Sequence, residues 1–376
     1  MMGDTLFIYG KPAQGGNFID REKECRQLVD NFKYGINTFL ISPRRWGKTS
    51  LVLKAMNEAG SADLLIVFLD VFKCKTPSEF CEKVASAVLS QTSGKLEEAA
   101  GFVRDFLSRV TLGMNLSSDP AAGNFSFSLA LSDERRDLEE KLNLPEKIAQ
   151  RKGVKILVCI DEFQQIGEFD DTLSFQKLLR TVWQHQTNVT YCLFGSKKHM
   201  MEKLFGSEDK PFYKFGDTLY LKRIPLEYWT PFITGKFKEG GKNISEEMCK
   251  MICEKVDYNS YYVQQLSWFV FRSCASEATA EAFNDGVDEM LAQNAALFEV
   301  RTEHLTAYQM NYLKAVSSGI HEGITSAGNI SRFKLGSSAN CAVLKQALIE
   351  KDLITVEDRK VYLTDPVMAL WLLKEN

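Results

Sequence analysis

Residues 42–50 have the sequence SPRRWGKTS, which is Ser42, Pro43, Arg44, Arg45, Trp46, Gly47, Lys48, Thr49 and Ser50. The apolar run Thr38–Ile41 precedes this stretch, and a helical pattern from Thr49 to Ala59 follows it. The stretch matches GxxxxGK[ST] at every fixed position except the first, where Ser42 stands in place of glycine. A strand, this loop and a helix in that order predict an α/β domain with a phosphate-binding loop.

The residue types in this loop suit phosphate chemistry. Backbone N–H groups of the loop and of the following helix N-terminus can surround phosphate oxygens. Gly47 lets the backbone approach the ligand closely, Lys48 places a positive charge on the β and γ phosphates, and Thr49 offers a hydroxyl to Mg²⁺. We therefore expect residues 42–50 to bind a nucleotide, with Lys48 also taking part in catalysis.

A second motif lies about a hundred residues further on, at the end of an apolar run. Residues 155–162 read KILVCIDE, so that Asp161 and Glu162 follow the buried-strand pattern Ile156–Ile160. Two adjacent carboxylates at the tip of a buried strand are costly unless they meet a cation. Asp161 is predicted to bind Mg²⁺, directly or through its water, and Glu162 to polarise the attacking water. The two motifs in this order indicate a nucleotide hydrolase.

The first two-thirds of the chain alternates strand and helix patterns. Leu64–Leu69 and Val189–Phe194 read as further strands, and helical patterns begin at Pro77 and at Leu173. Apolar strands separated by helices predict a parallel sheet covered on both faces. Ser196 follows the strand at Val189–Phe194, which would place it beside the γ-phosphate as a sensor; a simple strand-to-loop serine is the alternative.

Two regions depart from this alternation. Residues of roughly 93–135 break it, and the strictly alternating Asn124–Leu131 predicts a hairpin strand in an insertion. From Pro231 to about Val300 the pattern is helical throughout. Further helices are predicted at Glu303–Ser318 and Ala339–Lys351, before the hairpin sequence LITVEDRKVYLTD; helices followed by a hairpin predict a C-terminal winged helix.

Composition excludes several classes of protein. The 376 residues include 46 Lys and Arg against 49 Asp and Glu, a net charge of −3, so the chain is not a polybasic coat for nucleic acid. With 45% hydrophobic and 25% charged residues it is not a disordered chain either. No apolar run approaches the ~20 residues of a membrane helix, and the first ten residues lack the features of a secretory signal. We expect a cytoplasmic protein without a membrane partner, whose nine cysteines are buried thiols.

Several stretches resemble one family, the archaeal-type ATPases of the AAA+/STAND branch of P-loop NTPases. ISPRRWGKTSL resembles its phosphate loop, and ILVCIDEFQQI, the most specific stretch, resembles its strand and DEFQ motif. The segment from Phe18 to Glu24 is similar to the FxxRxxE motif, and Phe194–Ser196 to the sensor strand. Pro211–Tyr213 resembles a recurrent PFY stretch, Tyr261–Leu266 a lid helix, and the stretch from Leu344 to Leu372 a winged-helix end.

The resemblance implies an α/β P-loop NTPase sheet with a helical lid and a C-terminal winged helix. The expected domains are an ATPase core at residues 1–230 with the insertion at about 93–135, a lid at 231–300 and a winged helix at 301–376. ATP and Mg²⁺ are the implied ligands. Arg44 and Arg45 would bind phosphates, and Phe18 and Arg21 would flank the base or brace the N-terminal segment.

The sequence also departs from the family pattern. Ser42 stands where glycine is usual, and Ser260 replaces the proline that begins the lid helix. No arginine is present in Tyr261–Leu266, so no charge contact from the lid to the γ-phosphate can be assigned. Arg180 and Arg223 are candidates for an arginine finger only because they lie near the predicted sheet edge, and ordinary surface charge is the alternative.

Two functions remain open at the level of sequence. The first is a slowly hydrolysing, nucleotide-dependent ATPase switch, with a protein partner contacted through the C-terminal domain. The second is a nucleotide-regulated DNA-binding protein that uses the winged helix. Residues 301–376 carry nine basic and eight acidic side chains, a balance of +1, and the candidate recognition helix offers Asn340, Lys345, Gln346 and Lys351 diluted by Glu350. Because DNA readers show a basic stripe, DNA is possible but not favoured; the oligomeric state is open.

Overall fold

The computed structural model describes residues 6–93, 98–99, 101–102, 105, 118–119, 124–125, 135–206 and 208–374. Its Cα packing divides the chain into two compact units. The first, called the sheet unit, consists of Arg21–Ser42 and Lys48–Leu221. The second, called the helical unit, consists of Met1–Asp20, Pro43–Gly47 and Lys222–Asn376. Five residues of the phosphate loop therefore group with the C-terminal part of the chain.

The sheet unit is built on a five-stranded sheet in which all pairings are parallel. Its strands in chain order are β1 (Thr38–Ile41), β2 (Leu64–Asp70), β5 (Lys155–Asp161), β6 (Val189–Gly195) and β7 (Asp217–Tyr220). Their spatial order is β2-β5-β6-β1-β7. Because β6 lies between β1 and β5, the chain segments that follow these strands meet at one edge of the sheet. A separate two-stranded pair is formed by β3 (Ser118–Asp119) and β4 (Asn124–Phe125).

Helices connect the strands and cover the sheet. The helices of the sheet unit are α1 (Glu22–Tyr34), α2 (Lys48–Ala59), α3 (Pro77–Thr92), α4 (Arg135–Lys152), α5 (Thr172–Trp183) and α6 (Lys198–Phe205), with a 3₁₀ helix at Phe163–Glu168. Strand β6 is buried along its whole length, as expected for a central strand of a parallel sheet. The core is rich in aromatic rings; Trp183 stacks on Tyr191 with centroids 4.0 Å apart.

The helical unit has its own hydrophobic core. Its helices are α7 (Leu226–Glu239), α8 (Glu246–Lys255), α9 (Ser260–Ser273), α10 (Ala280–Thr302), α11 (Ala307–Ser317), α12 (Ala327–Arg332), α13 (Ser338–Glu350) and α14 (Pro366–Lys374), and the hairpin β8 (Ile354–Glu357) and β9 (Lys360–Leu363) precedes α14. N-terminal residues belong to the same core: Phe7 is buried, and the Ile8 N–H donates to Gln264 Oε1 at 2.8 Å.

Most of the strand and helix predictions agree with the structure to within a few residues. The helix predicted from Glu303 begins at Ala307, because Thr306 and Gln309 form a capping box there. The predicted insertion falls largely outside the described residues; of the strand predicted at Asn124–Leu131, only Asn124 and Phe125 are described as a strand. The structure adds α4, β7 and α14, which the sequence reading did not specify.

The units differ in extent from the predicted domains. Residues 6–20 and 43–47 group with the helical unit, whereas the domain prediction assigns them to the core. The domain boundaries themselves stay a prediction. In the described part of the chain, no helix combines the length and the hydrophobicity needed to cross a membrane.

Candidate functional site

The predicted phosphate-binding lysine and metal-binding threonine open helix α2, directly after the loop. Lys48 is only 6% exposed, and its Nζ donates a hydrogen bond to the Ser42 carbonyl oxygen at 3.1 Å. The Thr49 hydroxyl donates to Asp161 Oδ2 at 3.1 Å, which joins the start of α2 to the end of β5. The structure thus brings together two residues that the sequence separates by 112 positions.

Asp161 lies at the carboxyl end of β5 in a half-buried position. Its Oδ1 accepts a hydrogen bond from the Glu162 N–H at 2.8 Å. Burial raises the pKa of Asp161 to about 6, and the neighbouring charge of Glu162 adds to that rise; the hydrogen bonds from Glu162 N–H and Thr49 and the charge of Lys48 act against it. A carboxylate whose ionised form is penalised in this way gains most from a bound cation.

Glu162 is fixed by two side chains from different parts of the sheet edge. Its backbone is left-handed, with φ of 54°, which is uncommon outside glycine, asparagine and aspartate. Its Oε2 accepts hydrogen bonds from Ser196 Oγ, at 3.0 Å, and from Gln164 Nε2. Ser196 follows β6 and is itself buried. The predicted sensor and the predicted general base are therefore in direct contact.

Gly195, at the end of β6, permits this arrangement. An added Cβ at this position would lie 1.8 Å from Gln164 Oε1 and 3.0 Å from Met201 Sδ. No side chain fits at this distance without displacing Gln164. The sequence indicated Gly195 only as part of the sensor strand, and in the structure the missing side chain leaves room for the Gln164 amide.

The tip of the phosphate loop, residues 43–47, packs within the helical unit. Arg44 Nε lies 3.6 Å from Asp352 Oδ2, and the Arg44 carbonyl accepts a bond from Asn259 Nδ2 at 3.5 Å. The guanidinium of Arg223 lies over the Trp46 ring, 5.3 Å from its centroid, and Arg223 is also paired with Asp257. Lid and winged-helix residues both contribute to these contacts.

Arg45 is held through both its side chain and its backbone carbonyl. Its Nη1 donates to Tyr262 Oη and, at 3.2 Å, to Asp365 Oδ2. The guanidinium lies 4.7 Å from the ring centroid of Tyr261 and 4.9 Å from that of Tyr262. The Arg45 carbonyl accepts the Tyr261 N–H at 3.2 Å. Burial and the charge of Asp365 raise the pKa of Tyr262, so its hydroxyl stays protonated and able to donate.

The oxygen donors at this edge of the sheet suit a small divalent cation. A threonine hydroxyl and an aspartate carboxylate lie within hydrogen-bond distance of each other, and Mg²⁺ is typically bound through one or two carboxylates together with substrate phosphates. Within the loop, Arg45 (φ 68°) and Gly47 (φ 88°) are both left-handed. Such conformations turn successive N–H groups toward a common point and form anion-binding concavities. The residues present therefore fit the ligands that the sequence implies.

The remaining predicted residues lie elsewhere. Phe18 is half-buried in the helical unit, whereas Arg21 is buried in the sheet unit, where its Nη1 pairs with Glu24 at 3.2 Å. Pro43, the first residue of the loop tip, and Ser50, in the first turn of α2, are both half-buried. The arginine-finger candidate Arg180 lies over the Phe215 ring, 4.9 Å from its centroid.

The sequence reading assigned no role to three residues that complete these contacts. Gln164 belongs to the DEFQ stretch, Tyr262 to the lid stretch and Asp365 to the Asp-Pro before the final apolar run. All three lie in stretches that carried the family resemblance. Nothing in their local sequence pattern indicated such distant partners; Arg45 and Asp365, for example, are 320 positions apart.

Comparisons with known proteins identify two domain families in this chain. Residues 18–266 match the family described as "ATPase domain predominantly from Archaea", and residues 296–374 match a "probable winged helix domain". A search of curated proteins found no match.

Similar solved structures extend over nearly the whole chain. A Walker-type ATPase of Pyrococcus abyssi is 18% identical, with a TM-score of 0.68 over 98% of this chain and 100% of that one. The ORC2 protein of Aeropyrum pernix, in ADPNP–ADP complexes, is 12% identical, with a TM-score of 0.60 over 98% and 95%. The ORC1 protein of the same organism, in complex with DNA, is 13% identical with a TM-score of 0.51 over 100% and 95%. At these identities the likeness concerns the fold.

The fold is thus an α/β P-loop NTPase fold followed by a winged helix, as the motifs predicted. The matched ATPase family covers well over half of the chain and includes both motifs at the sheet edge. This chain belongs to the family of ATPase domains found predominantly in Archaea.

Proposed function

We propose that this protein is a Mg²⁺-dependent ATPase that hydrolyses ATP slowly and acts as a nucleotide-dependent switch. The observation that carries the proposal is the convergence of Lys48, Thr49, Asp161, Glu162 and Ser196 at the ends of β1, β5 and β6. Family membership supports ATP as the nucleotide.

Phosphate binding rests on the loop and on the start of α2. The positive charge of Lys48 is held at the loop by the Ser42 carbonyl, close to where the N-terminal N–H groups of α2 emerge. Anions are stabilised at such a helix end. Thr49 and Asp161 are the residues that would bind Mg²⁺, and the cation would neutralise charge on the β and γ phosphates.

Hydrolysis rests on Glu162. A carboxylate at this point can orient and polarise a water molecule, provided that its own orientation is fixed. Ser196 and Gln164 both donate to the same oxygen of Glu162, so that among the described residues the other oxygen is left for a water. In this arrangement Ser196 reports on the γ-phosphate by the hydrogen bond that it exchanges with Glu162.

The switch role rests on the division of the phosphate loop. Residues 43–47 group with the lid and the winged helix, whereas Ser42 and Lys48 group with the sheet. Because Arg44 and Arg45 contact lid and winged-helix residues, a change in the loop on binding or hydrolysis would act on those elements. A protein partner at the C-terminal domain would read that change.

Nucleotide-regulated DNA binding is the second candidate. The likeness in fold to an ORC1 protein in complex with DNA favours it. Against it, Val343 is 67% exposed on α13, and the Gln346 amide donates to Glu350 at 2.7 Å. An exposed valine and an engaged glutamine suit a protein contact better than base readout. Sub-micromolar, sequence-selective binding of DNA by the full chain would put this candidate first.

A thermal-shift experiment on Lys48→Ala tests the proposed ATP site. ATP with Mg²⁺ should raise the melting temperature of the wild type, because a ligand that binds only the folded state stabilises it. Lys48→Ala should lose that rise and keep a melting temperature within a few degrees of the wild type without nucleotide.

Lys54→Ala is the matched control. Lys54 lies in the same helix and forms an exposed pair with Glu58, so its loss should leave the nucleotide shift intact. A full nucleotide shift in Lys48→Ala, or no shift in the wild type, would contradict the proposed ATP site.

A further inference from the structure

The conformation of Arg45 needs support from outside the loop. A left-handed backbone at a residue with a long side chain is strained, and such strain persists only where the surroundings determine it. Arg45 is fixed at both ends: its carbonyl accepts the Tyr261 N–H, and its guanidinium binds Tyr262 and Asp365. The supporting residues come from the lid helix α9 and from the start of the last helix of the winged helix.

Asp365 divides its carboxylate between two tasks. Oδ1 accepts the N–H groups of Val367 and Met368, at 3.0 and 3.2 Å, and so caps helix α14. Oδ2 accepts hydrogen bonds from Tyr262 Oη at 2.8 Å and from Arg45 Nη1 at 3.2 Å, and Arg301 Nη1 lies 3.8 Å from the same oxygen. The carboxylate is buried, so its charge is little screened by solvent. A displacement of Arg45 would therefore alter the hydrogen bonds by which Asp365 caps the N-terminus of α14.

Resting on the proposed ATP site, we propose that Asp365 and Tyr262 are positioning residues for the phosphate loop. They hold Arg45, and with it the loop backbone, in the conformation that receives the phosphates. The winged helix then acts on the phosphate loop through the contact of Asp365 with Arg45. By reciprocity, nucleotide binding stabilises the contact between the loop tip and α14.

The test is a double-mutant cycle on nucleotide affinity with the full chain. ATP affinity would be measured by calorimetry in the presence of Mg²⁺ for Asp365→Asn, Arg45→Ala and the double variant. Asparagine keeps an Oδ1 acceptor for the cap of α14 but removes the charge that pairs with Arg45 and, at the longer distance of 3.8 Å, with Arg301. We expect Asp365→Asn to weaken ATP binding at least about fivefold, and to have no further effect once Arg45 is alanine.

Two further variants separate positioning from general destabilisation. Tyr262→Phe removes only the hydroxyl between Arg45 and Asp365, and should weaken ATP binding in the same direction as Asp365→Asn even if the latter folds poorly. Ser337→Ala removes a cap from another winged-helix helix, α13, where Ser337 accepts the Asn340 N–H at 3.1 Å. Ser337→Ala should lower the melting temperature without changing ATP affinity, because Ser337 does not contact Arg45.

The outcomes discriminate clearly. If Asp365→Asn and Tyr262→Phe bind ATP with an affinity within twofold of the wild type, the positioning role is overturned. The proposed ATP site is then still intact, provided that wild-type binding requires Lys48. Tighter binding by Asp365→Asn would also overturn it, since Asp365 would then compete with phosphate for Arg45. An equal loss in Ser337→Ala, or losses that add in the double variant, would show a merely structural effect. A wild type without ATP affinity would overturn both proposals.

Discussion

Two donors, Ser196 and Gln164, converge on one oxygen of Glu162 at the end of β5. Replacing it with glutamine changes little in size but removes the basic carboxylate. Glu162→Gln should therefore keep ATP binding and lower the hydrolysis rate by about 10²–10⁴-fold, the range expected for loss of a general base. The measurement is phosphate release against ATP affinity.

Glu168→Gln is the control for Glu162→Gln. Glu168 ends the same 3₁₀ helix and pairs with Lys197 at 2.8 Å on the surface. Its replacement should leave the rate of hydrolysis unchanged. If Glu162→Gln hydrolyses ATP at the wild-type rate, or loses ATP affinity to the same extent as rate, Glu162 does not act as the base.

Asp161 gives a pH-dependent prediction. Its pKa of about 6 in the folded protein lies above the ordinary value of 3.8, so the folded state favours the protonated form. The protonated Asp161 side chain therefore contributes fully to the stability of the fold below pH 4, and this contribution is lost as the pH rises through 6 and the group ionises. Without metal, the free energy of unfolding of Asp161→Asn at pH 7.5 should exceed that of the wild type by on the order of 1–2 kcal/mol, and its melting temperature should be higher. At pH 4 the variant should show no such gain.

The same variant should lose function. Asparagine supplies no charge to Mg²⁺, so Asp161→Asn should lose the Mg²⁺-dependent part of ATP affinity while it gains stability without metal. Melting curves in EDTA at the two pH values, together with ATP titrations with and without Mg²⁺, measure both effects. A metal-free melting temperature that falls at pH 7.5 would contradict the burial penalty at Asp161.

The site at the sheet edge could be predicted from residue types, because its charged and hydroxyl side chains belong to two short motifs. Lys48 and Thr49 are neighbours in one motif, Asp161 and Glu162 in another, and each motif carries its own strand. Tyr262 and Asp365 could not be predicted in the same way. A tyrosine and an aspartate are common residue types, and their partner Arg45 lies more than two hundred residues away in sequence.

At the scale of elements, the end of strand β6 determines how Glu162 is oriented. Gly195→Ala would place a methyl group against the Gln164 amide, whose Oε1 lies 1.8 Å from the position of that Cβ. Gln164 must then move and release Glu162. We expect Gly195→Ala to lower hydrolysis about tenfold or more, while ATP affinity, which depends on Lys48 and Thr49, changes little.

Position 167 offers a control for this glycine. A Cβ at Gly167 would lie 3.6 Å from Met200 Cε, an ordinary contact distance, so Gly167→Ala should keep both activity and affinity. The measurements are the steady-state rate of ATP hydrolysis and the ATP affinity of both alanine variants, compared with the wild type. Wild-type hydrolysis by Gly195→Ala would mean that the Gln164–Glu162 contact is not needed for turnover.

Elements differ in how well their sequences predict them. The buried strands β5 and β6 have uninterrupted apolar runs, so their patterns are clear. Strand β7 is a four-residue edge strand that is mostly exposed, so its sequence lacks any apolar run. Helix α4 contains Pro145, which normally breaks helices and obscures the spacing of Leu138, Leu142 and Ile148.

At the scale of the whole molecule, the units are not continuous in sequence. The helical unit takes residues 6–20 and 43–47 from the N-terminal part of the chain. Phe7 joins its core by edge contacts with Phe232 and Phe237, at 6.1 and 6.0 Å between centroids. Motifs and local patterns follow the chain, whereas these packing partners are over two hundred residues apart. The sequence therefore predicted the elements of each unit better than the membership of its core.

The last helix shows how closely the winged helix and the lid share one core. Val367, Met368 and Leu372 of α14 are buried in the same cluster as the lid residues, and Trp371 lies 5.8 Å from Phe298 of α10 between ring centroids. The apolar end of the chain is therefore largely packed within the helical unit, although Leu373 is 45% exposed. Each of the buried side chains contributes about 1.5–3 kcal/mol by its burial.

Removal of residues 303–376 should therefore damage more than the winged helix. The truncated chain would expose Phe298 and its neighbours on α10 and would leave Arg45 without Asp365. We expect strong binding of a hydrophobic dye, aggregation at micromolar concentration and a melting temperature well below that of the full chain, because a contiguous apolar patch would face water. Removal of residues 375–376 alone, beyond α14, should leave all three properties unchanged. A monomeric truncated chain that melts at the temperature of the full chain and binds no dye would show that the lid has a core independent of α14, and the shared core would then contribute nothing to its stability.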